Sequence, residues 1–239
     1  LYGVISDQTG APIQGLVVSD GFTCVETNAQ GLYQMAYNPE AEYVFYSTPA
    51  DCEIIVGSDN YPIFYAPINK EVRKFRKDFT LKKMTATETR FRLIVIGDPQ
   101  VTMGDIKRFR EETMSDIQKT VESSAESCYG IVLGDISADT PDVFPPMRVE
   151  ISALPAFKTF VTIGNHDKAL SASGKSPDGK RFSAIYGPLN YSFNRGDVHF
   201  VCMDNIRFSS STAYTAGFTD DQVEWLRQDL SFVPHSKMV

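Results

Sequence analysis

Hydrophobic and polar positions follow two different patterns along the 239 residues of this chain. In the first third, short apolar or alternating segments recur roughly every eight to twelve residues between turns rich in Gly, Pro, Asn and Asp, which is typical of a β-sandwich. This pattern predicts an N-terminal all-β sandwich over residues 1–82. The predicted strands are 3–6, 16–19, 24–27, 32–36, 43–47, 53–56 and 73–81.

A polar, Thr-rich stretch over residues 83–90 has the composition of a linker. Beyond it the pattern becomes strand, helix, strand, which predicts an α/β domain over residues 91–239. A helix is expected over residues 105–127, with Asp105 as its N-cap.

Near the end of the chain, Thr219 and Gln222 have the spacing of a capping box, so a second helix is expected to begin there. Trp225 in that helix is predicted to face the core. Segments 190–194 and 198–203 flank a Gly-containing turn and are predicted to form a hairpin.

Three apolar runs, 92–96, 131–133 and 160–163, each lead into a polar motif that begins with Gly. Such runs are typical of strands buried on both faces, and the carboxyl ends of these strands are where ligands gather in open α/β sheets. We therefore expect the three motifs to meet at one edge. They are Gly97-Asp98-Pro99-Gln100, Gly134-Asp135 and Gly164-Asn165-His166-Asp167.

Carboxylate and amide oxygens with an imidazole nitrogen suit one or two divalent ions such as Mn, Fe or Zn. Asp135 has two carboxylate oxygens and could bridge two ions, an arrangement that supports hydrolysis by a metal-bound hydroxide. Any single Gly-Asp pair after a strand is also a common turn. The ordered series of three motifs favours the metal site.

These motifs resemble the calcineurin-like metallophosphoesterase superfamily, whose pattern runs Asp-x-His, Gly-Asp, Gly-Asn-His-Asp/Glu, a lone His and Gly-His-x-His. The resemblance covers residues 91–239 and implies a sandwich of two mixed sheets with flanking helices. It implies a phosphoester substrate and two divalent ions in the complete protein. Asp98 and Gln100 would bind the first ion, Asp135 would bridge, and Asn165 would bind the second.

The same resemblance gives His166 the role of general acid or of phosphate-stabilising group, oriented by Asp167. Gln100 stands where the family usually has His. Its amide oxygen is a harder and weaker donor than imidazole, which favours Mn or Fe over Zn.

The lone His and the Gly-His-x-His block have no counterpart within these 239 residues. The chain is therefore expected to be a C-terminally truncated family member, incomplete at its C-terminus and weak or inactive alone, since each lost ligand lowers metal affinity. His199 is predicted to be a core or strand-face residue, and His235 to be exposed. The alternative function is an extracytoplasmic binding module whose phosphoesterase domain is catalytically inactive.

The N-terminal segment resembles the transthyretin-like or carboxypeptidase-regulatory-like sandwich, on the residues 3–7, 10–15, 17–20 and 27–33. That resemblance implies a periplasmic or extracellular location, because such domains accompany extracytoplasmic enzymes. A packing role for this domain is favoured over carbohydrate binding.

Charge and cysteine content change the picture only slightly. A net charge of -7 argues against a nucleic-acid backbone as partner. No apolar run approaches the roughly 20 residues that span a bilayer. Cys24 and Cys52 could pair if their strands adjoin.

The polar loop 169–181 is either a lid that meets substrate phosphate through Lys175 or Lys180, or a disordered surface loop.

Overall fold

A computed structural model describes residues 1–170 and 177–239 of the chain. It is a β-rich, mixed α/β structure with several sheets and a few helices. This agrees with the mixed fold class expected from the sequence, whereas the specific sandwich arrangements remain predictions. Lys175, which was predicted to contact the substrate phosphate from a lid, lies outside the described residues.

The N-terminal region contains seven strands in two sheets. They are β1 Tyr2–Asp7, β2 Val17–Ser19, β3 Cys24–Glu26, β4 Leu32–Gln34, β5 Tyr43–Tyr46, β6 Tyr65–Pro67 and β7 Phe79–Leu81. One sheet has the order β4-β1-β7 and the other the order β3-β2-β5-β6.

The strand predicted over residues 53–56 was wrong, and β6 was not predicted. Val56 forms only an isolated bridge with Pro62, and Glu53 donates its backbone N–H to the carbonyl of Lys82. The segment thus pairs at single points and not as a ladder. Pro67 obscures β6 in the sequence, yet β6 is an edge strand, where Pro is tolerated.

A three-stranded parallel sheet follows, in the order β10-β9-β8. Helical segments cross over between its strands. The elements are β8 Phe91–Ile96, α1 Ile106–Arg108, a π-helical segment Phe109–Met114, α2 Ser115–Ser123, β9 Ser127–Leu133, a 3-10 turn Pro141–Val143, α3 Phe144–Ile151 and β10 Phe157–Thr162.

The first crossover helix differs from the predicted helix 105–127. It ends at Ser123 and includes the π-helical segment, which changes the phase of its buried face, so Met114 is buried along with Phe109 and Ile117. The Asp105 side chain does not cap this helix. Its Oδ2 accepts a hydrogen bond from the backbone N–H of Thr102 instead.

The remainder of the chain forms short hairpins and two helices. They are β11 Ala169–Leu170, β12 Pro177–Asp178, α4 Lys180–Tyr186, β13 Tyr191–Arg195, β14 Val198–Cys202, β15 Ile206–Phe208, β16 Tyr214–Ala216 and α5 Asp220–Ser231. The predicted hairpin is confirmed as β13–β14, and the capping box of Thr219 and Gln222 is confirmed at the start of α5.

The two faces of the parallel sheet pack against different partners. One face, with Val132 of β9 and Val161 of β10, packs against the crossover helices. On the other face, Ile131 and Phe160 join a core that also contains N-terminal residues and Trp225. The edge strand β8 is not buried on both faces as predicted, because Val95 is 51% exposed.

Side chains from the C-terminal part reach deep into the N-terminal part. Trp225 is fully buried, as predicted, and Arg195, 1% exposed, donates to the carbonyl of Cys52 over 2.9 Å. The division into residues 1–82, 83–90 and 91–239 stays a prediction, but the apolar core runs across it.

Several smaller expectations are also settled by burial. His199 is 3% exposed, as predicted for a core histidine, and its Nε2 lies 2.7 Å from Oδ2 of Asp229. His235 is exposed, as expected.

All four cysteines lie within the described ranges and are buried and free, so Cys24 and Cys52 do not pair. No helix in those ranges has both the length and the apolar character needed to cross a membrane.

Candidate metal and phosphate site

The three Gly-containing motifs lie at the carboxyl ends of β8, β9 and β10, which are parallel neighbours. Two backbone hydrogen bonds connect the first motif to the second. The N–H of Gln100 donates to the carbonyl of Asp135 over 2.8 Å, and that of Val101 donates to Ile136 over 2.9 Å. The predicted convergence of the motifs at one sheet edge is therefore present.

The second and third motifs are in direct contact. Asp135 Oδ1 accepts a 2.9 Å hydrogen bond from the backbone N–H of His166. A Cβ placed on Gly164 would lie 2.0 Å from the same Oδ1, and one placed on Gly134 would lie 2.8 Å from the backbone nitrogen of Gly164. Both glycines are thus required by the close approach of the two turns.

Three of the four predicted ligand residues have left-handed backbone conformations. The φ angle is 49° at Asp98, 43° at Gln100 and 48° at Asp135. Asp tolerates this region better than most residues, but each such position still costs on the order of 1–2 kcal/mol. Strain of this kind, gathered in ligand loops at one sheet edge, is a signature of functional sites.

Asp167 stabilises the turn itself. Its side chain is fully buried, with Oδ1 accepting the N–H of Ser137 over 2.9 Å and Oδ2 accepting the N–H of Gly164 over 3.0 Å. Burial raises the pKa of Asp167, and these backbone donors oppose that rise. The Ser137 hydroxyl donates to the carbonyl of His166, which closes the connection between the second and third motifs.

The predicted orientation of His166 by Asp167 does not take the form of a hydrogen bond from the imidazole ring to the Asp167 carboxylate. Both oxygens of Asp167 are occupied by backbone N–H groups, and the His166 ring points to a different carboxylate. Nδ1 of His166 lies 2.9 Å from Oδ1 of Asp139. This contact raises the pKa of His166, and the negative charges of Asp139, Asp135 and Asp98 act in the same direction against a lowering by burial.

Sequence reasoning missed Asp139. It lies in the loop after the second motif and outside the family pattern quoted above, and its left-handed backbone, with a φ of 58°, is visible only in the structure. The available signal was its position four residues after Asp135, within reach of the same sheet edge. Its side chain is 75% exposed, so it is free to hold an imidazole at the rim of the site.

The donor chemistry at this edge suits a hard divalent cation. Asp98, Gln100, Asp135 and Asn165 offer oxygen donors, and the first three are carried on loops held together by backbone hydrogen bonds. Among the described residues, no group of three or more His, Cys, Asp or Glu side chains is arranged to hold a metal ion. Two of the four predicted ligands are amides, which such a grouping does not include.

A cavity of about 540 Å³ opens beside the third motif. Asn165 and His166 line it together with Arg181 and residues of the β15–β16 hairpin. Lys180, a predicted phosphate contact, is exposed and lines a separate cavity between α4 and the N-terminal region. Of the two cationic residues of loop 169–181 that the structure describes, Arg181 therefore shares a cavity with His166 and Lys180 does not.

Comparison with known proteins connects the chain with one family. Residues 2–84 match a family model described as the N terminal of Calcineurin-like phosphoesterase, over about a third of the chain. The match supports the calcineurin-like phosphoesterase family and a phosphoesterase-type class of protein. It lies in the segment that precedes the three motifs. No curated protein and no solved structure gave a significant match to this chain.

Proposed function

We propose that this protein is a metal-dependent hydrolase of phosphoesters, with its active site at the carboxyl edge of the parallel sheet. The observation that carries the proposal is the joining of three strand-end motifs around Asp135, with left-handed backbone at Asp98, Gln100 and Asp135. The family match of residues 2–84 supports it independently.

In this proposal Asp98, Gln100, Asp135 and Asn165 hold one or two divalent ions, with Mn or Fe favoured over Zn. When bound, such ions activate water and neutralise charge on a phosphoryl group. The Asp135 carboxylate is positioned by the His166 backbone N–H, which leaves its second oxygen available.

His166 would face the phosphoryl group. Its Nδ1 is engaged by Asp139, so Nε2 is the ring atom left to donate a proton to a leaving oxygen or to a phosphoryl oxygen. Asp139 favours the protonated ring, as a proton donor requires. Asp167 contributes by holding the turn that carries His166.

The test is turnover of p-nitrophenyl phosphate and bis-p-nitrophenyl phosphate by the full-length protein with added Mn²⁺, in the wild type and in Asp135→Asn. We expect Mn²⁺-dependent turnover that Asp135→Asn abolishes and that Asp116→Asn, an exposed carboxylate on α2, leaves unchanged. Absence of turnover on both esters and on a wider phosphoester panel would refute the enzyme and favour a catalytically inactive binding module.

A further inference from the structure

The cavity beside His166 has one wall that the proposed chemistry does not use. Phe208 of β15 and Tyr214 of β16 lie directly opposite each other in the hairpin, with ring centroids 5.1 Å apart and ring planes inclined by 43°. Both line the cavity, and Tyr214 remains 46% exposed. A volume of about 540 Å³ is within the usual range for small-molecule sites.

The aromatic pair is held at a fixed position relative to the third motif. Lys168, which directly follows that motif, has a 7% exposed side chain whose Nζ lies 2.6 Å from Oδ2 of Asp204, at the base of the hairpin. Gln222 of α5 donates from Nε2 to the Asp204 carbonyl over 2.7 Å. Buried, multiply bonded anchors of this kind restrict the base of the hairpin, and the two rings line the same cavity as His166.

The charges around the cavity suit an anionic end group near His166. Arg181 pairs with Asp142 over 2.7 Å, but both side chains are more than half exposed, and such surface pairs are weak. A phosphoryl group could therefore displace Asp142 and pair with the Arg181 guanidinium. Asp139, the acidic side chain of the lining, is already engaged with His166.

We infer that this cavity binds the organic part of the substrate and selects phosphoesters whose alcohol carries a planar aromatic or heteroaromatic ring. The ring packs against Phe208 and Tyr214 while the phosphoryl group lies between His166 and Arg181. Exposed aromatic rings held rigidly in a cavity favour flat π-systems over saturated rings of equal size. The inference rests on the proposed function for the position of the phosphoryl group.

The experiment compares two non-hydrolysable probes, phenylphosphonate and cyclohexylphosphonate, by isothermal titration calorimetry with Mn²⁺-loaded full-length protein. The probes share the anionic group and differ in the flatness of the ring. We expect the wild type to bind phenylphosphonate about 3- to 10-fold more tightly, in line with the strength of one aromatic contact.

Three variants locate the preference. Tyr214→Leu should reduce the ratio of the two dissociation constants to less than about 2-fold, because an apolar but non-planar side chain replaces the ring. Tyr37→Leu, which alters an N-terminal tyrosine of similar exposure (47%), should leave the ratio unchanged. Arg181→Met should weaken both probes equally and keep the ratio.

The outcomes separate this inference from the proposed function. Equal binding of the two probes, no binding of either, or a preference that survives Tyr214→Leu would overturn the aromatic subsite. A ring preference that Tyr214→Leu removes would support it even if no phosphoester were turned over. That last pattern would refute the hydrolase while leaving the binding cavity in place.

Discussion

The indole Nε1 of Trp225 donates a 3.0 Å hydrogen bond to the hydroxyl of Ser19, a residue 206 positions earlier in the chain. Trp225 is fully buried and Ser19 is 3% exposed, so water does not compete for this bond. It joins α5 to β2 and hence the last helix to the N-terminal sheets.

Trp225→Phe should lower the free energy of unfolding by about 1–3 kcal/mol, because the buried indole loses its hydrogen bond to Ser19 and the smaller ring leaves part of its space unfilled. Urea unfolding of Trp225→Phe, Ser19→Ala and the double variant measures this. A coupling energy of about 0.5–1.5 kcal/mol is expected. Additive losses would show that the two side chains do not stabilise one another.

Gly164→Ala should damage the site far more than Gly97→Ala. A Cβ at Gly164 would lie 2.0 Å from Oδ1 of Asp135, whereas a Cβ at Gly97 would have no atom within 4 Å. We expect a loss of about 1–3 kcal/mol for Gly164→Ala, since the two turns must separate, and a change within about 0.5 kcal/mol for the control. Equal thermal stability of the two variants would contradict the close approach.

Asp167→Asn should destabilise the protein by about 1–3 kcal/mol. Both carboxylate oxygens accept backbone N–H groups, and an amide would direct its own N–H at one of them. Chemical denaturation measures the loss. An unchanged midpoint would show that the buried carboxylate does not hold the turn.

Asp139→Asn should lower activity and leave stability almost unchanged, in contrast to Asp167→Asn. Its side chain is exposed, so stability should stay within about 0.5 kcal/mol of the wild type. If His166 acts as proposed, kcat should fall about 10- to 100-fold, as for other carboxylates that support a catalytic group. Exposed Asp116→Asn is the control for kcat, and a normal kcat in Asp139→Asn would remove Asp139 from the site.

Asp135→Asn should release metal more completely than Gln100→Ala. The Asn side chain keeps the Oδ1 acceptor for the His166 N–H, so the fold should persist while the negative charge is lost. Elemental analysis after Mn²⁺ loading and desalting gives the comparison. Unchanged metal content in Asp135→Asn would exclude the proposed bridging role.

The sequence predicted the parts of the site that depend on strand ends. Each apolar run does lie in a parallel strand beside its neighbour. A short continuous apolar run that ends at Gly, without alternation of polar residues, is typical of a strand in a parallel sheet. The capping box at Thr219 and the buried Trp225 followed equally directly from local pattern. The metal-binding roles of the four ligand residues stay predictions.

Features that depend on tertiary contact could not be read in the same way. Asp167 lies next to His166 in sequence, yet its oxygens are taken by Ser137 and Gly164, a choice made by the packing of two turns. The partner of His166 is Asp139, from another loop. The π-helical segment likewise leaves no periodic trace over so few residues.

The aromatic contact between the two parts of the chain has an evolutionary consequence. Phe64 packs against Phe160 at 6.0 Å and Tyr191 at 4.9 Å between centroids, and Phe160 lies on β10, which ends two residues before Gly164. A change of size at Phe64 therefore shifts the strand that delivers the third motif. In related sequences, substitutions at Phe64, Phe160 and Tyr191 should therefore occur together. A chimera that combines the N-terminal segment of one relative with the remainder of another should fold only where the residues at these three positions fit one another.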